Sequence, residues 1–274
     1  MSVNLEDYFK EINREIHSNN FEEALNKANY LFSIIDANEV EFDTEFLIKL
    51  LDIRSFIFTI MGNNAQALED INRAIEEKTS TSSGSDDQLA KLLIHRGLNH
   101  FYLEDYISSL KDFNTAIEIL SSSTDKESTK LPQVFLNRSA LLKKQGLRRE
   151  SLEDINKAIS ILSKINNQKS MPVLINALIE KGVFLMEEEK FFESAYNFDL
   201  AISKSRQLLT TEKLRILGTH IRLIYYLIIT NLAVGKHQDP INSLLLEAKS
   251  IVNNYGANEE TSYWLNKIGE IAAI

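Results

Sequence analysis

The sequence predicts an all-α fold, a linear stack of antiparallel helical hairpins, and three observations carry that prediction. The motif Glu69-Asp70-Ile71-Asn72-Arg73-Ala74-Ile75 returns 42 residues later as Lys111-Asp112-Phe113-Asn114-Thr115-Ala116-Ile117. It returns after another 42 as Glu153-Asp154-Ile155-Asn156-Lys157-Ala158-Ile159, and after 43 more as Tyr196-Asn197-Phe198-Asp199-Leu200-Ala201-Ile202. A fixed period in the range of about 20–50 residues marks stacked supersecondary units that contact only their neighbours. Small residues recur in step with the motif. Only 9 Gly and 3 Pro punctuate the 274 residues, which suits long helices and disfavours a sheet with many tight turns.

Taken in order, the segments read as six hairpins and a closing helix within one array spanning 1–274. The first, 4–36, keeps the pattern only at Phe21, Ala24 and Ala28. The second, 44–79, carries Ser55, Ala67, Ile71 and Ala74, with its turn near Gly62. The third, 86–121, repeats these columns at Gly97, Ser109, Phe113 and Ala116, turns at Glu104-Asp105, and opens with Ser85 and Gln88 at capping-box spacing. The fourth, 130–165, shows Ser139, Ser151, Ile155 and Ala158 around Gly146, and the fifth, 172–208, shows Gly182, Ser194, Phe198 and Ala201 around Glu189-Lys190. The sixth, 211–254, is weaker. Pro132, Pro172 and Pro240 (after the capping candidate Asp239) mark helix starts, where a missing N–H is tolerated. Leu223–Val234 is 12 residues without a charge, short of the roughly 20 that span a bilayer, and reads as a buried core helix. Trp264, Leu265, Ile268 and Ile271 share one face of the last segment, 258–273, which caps the open end. Small residues let helices approach closely while the large column fills the space beside them.

The order small, apolar, turn, then small-x3-large-x2-Ala resembles the tetratricopeptide repeat. Gly97, His100, Tyr106, Ser109, Phe113 and Ala116 fall on that pattern, as do Phe135, Ser139, Leu142, Gly146, Ser151, Ile155 and Ala158. The likeness is clear over roughly 45–205. Two features depart from it: the proline after the second helix is missing, and the period exceeds the family's ~34 residues by eight or nine. Part of the excess is Ser/Thr-rich, at 79–85 and 121–129. This is similar to the long-period members of the superfamily, and implies an α-solenoid wound into a right-handed superhelix.

Composition narrows the function. The net charge of −9 disfavours nucleic acid and anionic membrane as partners. The absence of Cys removes disulfides, thiolate metal sites and cysteine nucleophiles, and fits a cytoplasmic protein. The five histidines include no i,i+4 pair for zinc, no phosphate-cradling loop occurs, and no Gly-x-Ser-x-Gly elbow is present. No catalytic residue, metal or cofactor is expected. The oligomeric state is not legible.

Two constellations stand out. Arg54, Arg96, Arg138 and Lys181 each precede by 16 residues Asp70, Asp112, Asp154 and Asn197. Across an antiparallel hairpin this offset predicts Arg–Asp bridges in hairpins two to four and a Lys–Asn contact in the fifth. The second follows from the resemblance, in which first helices line a concave groove. The partner-binding candidates are Lys49, Asp52, Phe56, Lys91, His95, Leu98, Tyr102, Gln133, Asn137, Ala140, Lys144, Asn176, Glu180, Val183 and Glu187, with Tyr225 and Tyr226 extending the row. Lys49 and Lys91 in one half against Glu180, Glu187, Glu188 and Glu189 in the other suggest a graded field, while Lys143, Lys144, Arg148 and Arg149 read as a solvated basic turn. Amide, aromatic and charged side chains together suit an extended peptide. The resemblance therefore implies a non-enzymatic scaffold that binds a protein segment. A heat-shock co-chaperone is one alternative: Asn137 matches the middle position of that clamp, but Ile94, Leu98, Asn176 and Glu180 replace its other residues. A structural subunit using its outer surface is another.

Overall fold

The computed structural model describes residues 4–37, 40–81, 86–125, 127–165, 167–209, 213–235, 238–256 and 258–272. Ser85, Lys236 and His237 lie outside them, as does the side chain of Asp239. The described residues form helices joined by short turns, with no strand among them. Contacts divide the chain into two units, Met1–Asp125 and Lys126–Ile274.

The first unit holds α1 (Leu5–His17), α2 (Phe21–Asp36), α3 (Thr44–Ile60), α4 (Asn64–Ser80), α5 (Asp86–Tyr102) and α6 (Tyr106–Ser122). Each odd helix packs on the next even one, and α2 on α3, α4 on α5. The second unit holds α7 (Lys130–Lys144), α8 (Arg148–Ile165), α9 (Met171–Glu187), α10 (Phe191–Leu209), α11 (Lys213–Ala233), α12 (Gln238–Tyr255) and α13 (Glu259–Ala272). Here α7–α8 and α9–α10 pair, and α11 packs against α10, α12 and α13.

The turn inside each hairpin is closed the same way. Asn19, Gly62, Glu104, Gly146, Glu189 and Gly235 sit at positive φ. Just beyond, the N–H of Asn20, Asn63, Asp105, Leu147 and Lys190 donates to the carbonyl five residues back, at 2.8–2.9 Å. A left-handed residue followed by this long-span bond satisfies the last carbonyls of the first helix and reverses the chain in a few residues. At 104 and 189 a glutamate adopts the conformation that glycine takes at 62 and 146. The next helices start on local acceptors: Asp43 takes the N–H of Phe46 at 2.7 Å, and Asp105 that of Ser108 at 3.1 Å. Pro132 and Pro172 fall in first helical turns, and so does Pro240. Because α12 begins at Gln238, Asp239 lies inside the helix rather than at its cap.

The repeating columns are the core. Ala74, Ala116, Ala158 and Ala201 are fully buried, with Ile71, Phe113 and Phe198 at zero exposure and Ile155 nearly so. Size is complementary across each hairpin. Where the large residue is Phe113 or Phe198, the facing small residue is Gly97 or Gly182; a Cβ there would come within 2.8 and 2.5 Å of the ring. Where it is Ile71 or Ile155, serine is tolerated at 55 and 139. The second small column adds a hydrogen bond: Ser109, Ser151 and Ser194 hydroxyls donate to the carbonyls of Gly97, Ser139 and Gly182 at 2.7–2.9 Å. In the second hairpin Ala67 has no hydroxyl, and Ser55 donates the other way, to the Ala67 carbonyl, at 2.9 Å.

Charge closes the same hairpins. Arg54 Nε and Nη2 donate to both oxygens of Asp70 at 2.7 Å. Arg96 meets Asp112 at 2.8 and 2.7 Å, and Arg138 meets Asp154 at 2.7 and 2.8 Å. The aspartates are buried, so each fork satisfies a carboxylate that would otherwise be stranded. Arg54 and Arg96 also donate back to Asn29 and Asn72 of the preceding hairpin at 3.2 and 3.1 Å. The fifth hairpin differs from the expectation: Asn197 donates to its own helix, at the Glu193 carbonyl (2.7 Å), and makes no hydrogen bond with Lys181. A one-carbonyl amide side chain with a free turn of its own helix in reach satisfies itself locally.

By length and composition Ile216–Ala233 of α11 is apolar enough to cross a bilayer, and 61% of that stretch is buried inside the protein. Ile221, Leu223, Ile224 and Ile228 are at zero exposure.

Candidate functional site

Three first helices of the N-terminal unit build a cavity of about 540 Å³. From α3 come Lys49, Asp52, Ile53 and Phe56; from α5, Lys91 and His95; from α1, Phe9, Asn13, Ile16 and His17. Spacings of three and four place each set on one face of its helix. A second cavity of about 420 Å³ shares Phe56 and His95 and continues to Leu98 and Tyr102. Phe56 and Tyr102 are 39% and 56% exposed, so both rings are available to a ligand.

Asp52 forms the floor of the first cavity. It is 7% exposed, and its oxygens take Lys91 Nζ at 2.6 Å and His95 Nδ1 at 2.5 Å. Burial works to raise its carboxyl, but the His95 and Lys91 contacts outweigh that and hold it below the usual value. Ionised at neutral pH, it fixes two cationic or donor groups at the mouth. His95 is held further: its ring lies 6.4 Å from that of Phe56, and its carbonyl accepts from the buried Asn99, whose oxygen accepts from Thr59. Lys49 stays half in solvent beside Glu45 at 3.4 Å. The α1 wall escaped the sequence reading because the first hairpin matches the repeat only in its second helix; Phe9, Asn13, Ile16 and His17 at helical spacing were the available signal.

In the second unit the candidates are less concentrated. Gln133 donates to Asn137 Oδ1 at 3.2 Å. Lys144 is exposed and Asn176 half-buried. Glu187 is taken by Lys143 at 2.6 Å and by Arg148 at 3.3 Å, and Glu188 by Arg148 at 2.6 Å. Two residues of the basic turn are therefore clamps between hairpins, and of the charges in the expected graded field Lys49, Lys91, Glu187 and Glu188 are ion-paired within their own unit. Glu180 keeps contact with solvent, yet partial desolvation pushes its carboxyl up; Lys143 and Arg222 oppose this and Glu187 adds to it. Tyr225 and Tyr226 pack into an aromatic cluster, Tyr226 stacked on Phe198 at 5.1 Å and Tyr225 tilted against Trp264 at 5.1 Å.

The weakly patterned end also holds a chain of side chains that the sequence did not reveal. Ser205 Oγ lies 2.5 Å from His220 Nδ1, His220 Nε2 lies 3.1 Å from Glu247, and Arg206 grips Glu247 at 2.8 and 2.7 Å. The order serine, histidine, carboxylate evokes nucleophilic catalysis. Ser205 and His220 have zero exposure, however, and the serine hydroxyl also reaches the Ile202 carbonyl at 3.1 Å. No substrate atom can approach such a hydroxyl, and the chain ties α10, α11 and α12 together. Burial works to raise Glu247, and Arg206 with His220 more than offset it, leaving the carboxyl at about 2.

No sequence-family model matches the chain, and no curated protein matches it. Solved structures do. The nearly identical TPR-like repeats of a kinesin light chain from Podosopora anserina superpose with a TM-score of 0.60 at 12% identity, over 78% of this chain and 98% of that one. A Rap protein complexed with Competence and Sporulation Factor gives 0.66 at 13%, over 97% and 74%. The apo quorum sensor NprR from B. thuringiensis gives 0.70 at 9%, over 96% and 68%. The chain has the tetratricopeptide-like fold: an all-α array of antiparallel helical hairpins.

Proposed function

We propose that this protein is a non-enzymatic, cytoplasmic scaffold that binds an extended segment of a partner protein on the α1–α3–α5 face. One observation carries the reading. Five side chains drawn from the repeat pattern, Lys49, Asp52, Phe56, Lys91 and His95, line a single cavity in which a buried carboxylate orients two of the others. Preorganised polar groups beside exposed rings lower the ordering cost of holding a flexible chain. Phe9, Ile16, Ile53 and Phe56 offer apolar contact; Lys49 and the remaining N–H donors of Lys91 and the two histidines favour a carbonyl-rich or acidic segment. The Rap protein complexed with Competence and Sporulation Factor, a chain of the same kind of fold, supports a binding role. Asn137, Lys144, Asn176, Glu180 and Glu187 are proposed separately, as partner contacts of the second unit taken by itself. The chaperone-tail alternative gains no support, since the one matching residue, Asn137, is engaged by Gln133.

Peptides selected from a random library against the intact chain test this. The expected result is a set bound at micromolar Kd that Phe56→Ala combined with Lys91→Ala weakens by at least about tenfold, or roughly 1.4 kcal/mol. Selected peptides that bind the double variant as well as the parent would overturn it.

A further inference from the structure

A third cavity lies in the other unit and on other helices. It has a volume of about 430 Å³ and is bounded by α10, the end of α11 and the start of α12. Its lining includes Asn231, Asp199, Phe192, Tyr196, Leu227 and Leu244. Asn231 is 3% exposed, and its amide oxygen is buried with no hydrogen-bond partner. A buried polar group left unpaired costs roughly 1–3 kcal/mol, and this one belongs to a residue that lines the cavity.

Among the described residues, the charged side chain that lines this cavity is acidic. Asp199 is exposed at the same cavity. Arg206, two turns further along α10, is held by both oxygens of Glu247 and also feels the charge of Asp199. At the rim, Phe192 and Tyr196 are 72% and 69% exposed, an aromatic pair that a small amine filling the cavity would leave uncovered. Leu227 and Leu244 line the apolar part.

We infer that this cavity receives an arginine side chain from a partner protein. A guanidinium carries five donors in one plane, enough to span the Asp199 carboxylate and the Asn231 oxygen together, and its flat face stacks on Tyr196 or Phe192. The aliphatic stem lies along Leu227 and Leu244. Lysine offers a point charge that cannot pair with both acceptors in one plane. The partner's main chain then covers the two exposed rings.

The test uses the full chain, isotope-labelled, and N-acetyl-arginine methylamide as probe. Saturable shifts of amide resonances in α10 and α12 are expected in the millimolar range. The neutral isostere N-acetyl-citrulline methylamide is expected to bind at least about tenfold more weakly. Asp199→Asn reduces binding to the citrulline level. Asn231→Leu also weakens it while raising the unfolding midpoint, because it removes an unpaired buried amide; this combination separates a ligand site from a fold defect. Absence of saturable shifts, an equal response to citrulline, unchanged binding by Asp199→Asn, or tighter binding of spermidine than of the arginine probe would each overturn the assignment. None of these residues lines the α1–α3–α5 cavity, so failure here leaves the peptide selection above as a separate measurement.

Discussion

Two hairpins of the second unit, α7–α8 and α9–α10, share one column pattern and are closed by different forces. In α7–α8, Arg138 forks onto buried Asp154, Ser139 faces Ile155, and Gly146 makes the turn. In α9–α10 the fork is gone, since Asn197 satisfies itself on its own helix. As in α5–α6, the backbones come close enough that the glycine, here Gly182, has no room for a Cβ beside the ring, and Phe198 also stacks on Tyr226 of α11. The fork and the close glycine–aromatic packing are separable, since α5–α6 carries both, α7–α8 the fork and α9–α10 the packing. Buried charge sets the register at a high desolvation cost, and tight aromatic packing reaches the same geometry without it.

The largest effect expected on that contrast is Phe198→Ala, with a loss of about 4 kcal/mol, against about 3 for Ile155→Ala, from urea unfolding followed by circular dichroism. Equal losses would mean that the two hairpins are packed alike. Asp154→Ala strands Arg138 and should lower stability by about 3 kcal/mol, whereas Asn197→Ala should change it by less than about 1. A small effect of Asp154→Ala would show the fork to be dispensable. Acid should act on the far half of α10, where Arg206 and His220 hold Glu247 at about 2 against its ordinary 4.5. A lowered carboxyl contributes stability that is complete above about 4.5 and disappears as the pH falls toward 2. Glu247→Gln should therefore flatten the stability profile between those pH values, and an unchanged profile would remove the clamp from the account. The smallest change is at the turns: Glu189→Gly should gain roughly 1 kcal/mol by relieving the left-handed backbone, and Gly146→Ala should lose a similar amount.

How much of this was legible follows from where each contact lies in the chain. The forks of Arg54, Arg96 and Arg138 stand at the 16-residue offset visible in the sequence, because both partners belong to one hairpin and the hairpin recurs. The turns at 62, 104, 146 and 189 were legible for the same reason. The α1 wall of the candidate site was not, since Phe9, Asn13, Ile16 and His17 precede the first strong repeat and have no counterpart to align with. The Ser205–His220–Glu247 chain was hidden as well, its members 15 and 27 residues apart in the stretch where the period fades. Asn231 and Asp199 gave no signal until folding placed them on one cavity.

By itself the sequence determined the repeating helices, their turns and the Arg–Asp forks that close hairpins two to four. These rest on local contacts repeated often enough to read. Only the tertiary structure decided which inward charges remain available to a partner. Lys91 is bound to Asp52 from 39 residues away and Glu187 to Lys143 from 44, about one full repeat in each case. Neutralisation between stacked units depends on how neighbouring helices lie against each other, and a linear pattern of charges does not contain that spacing.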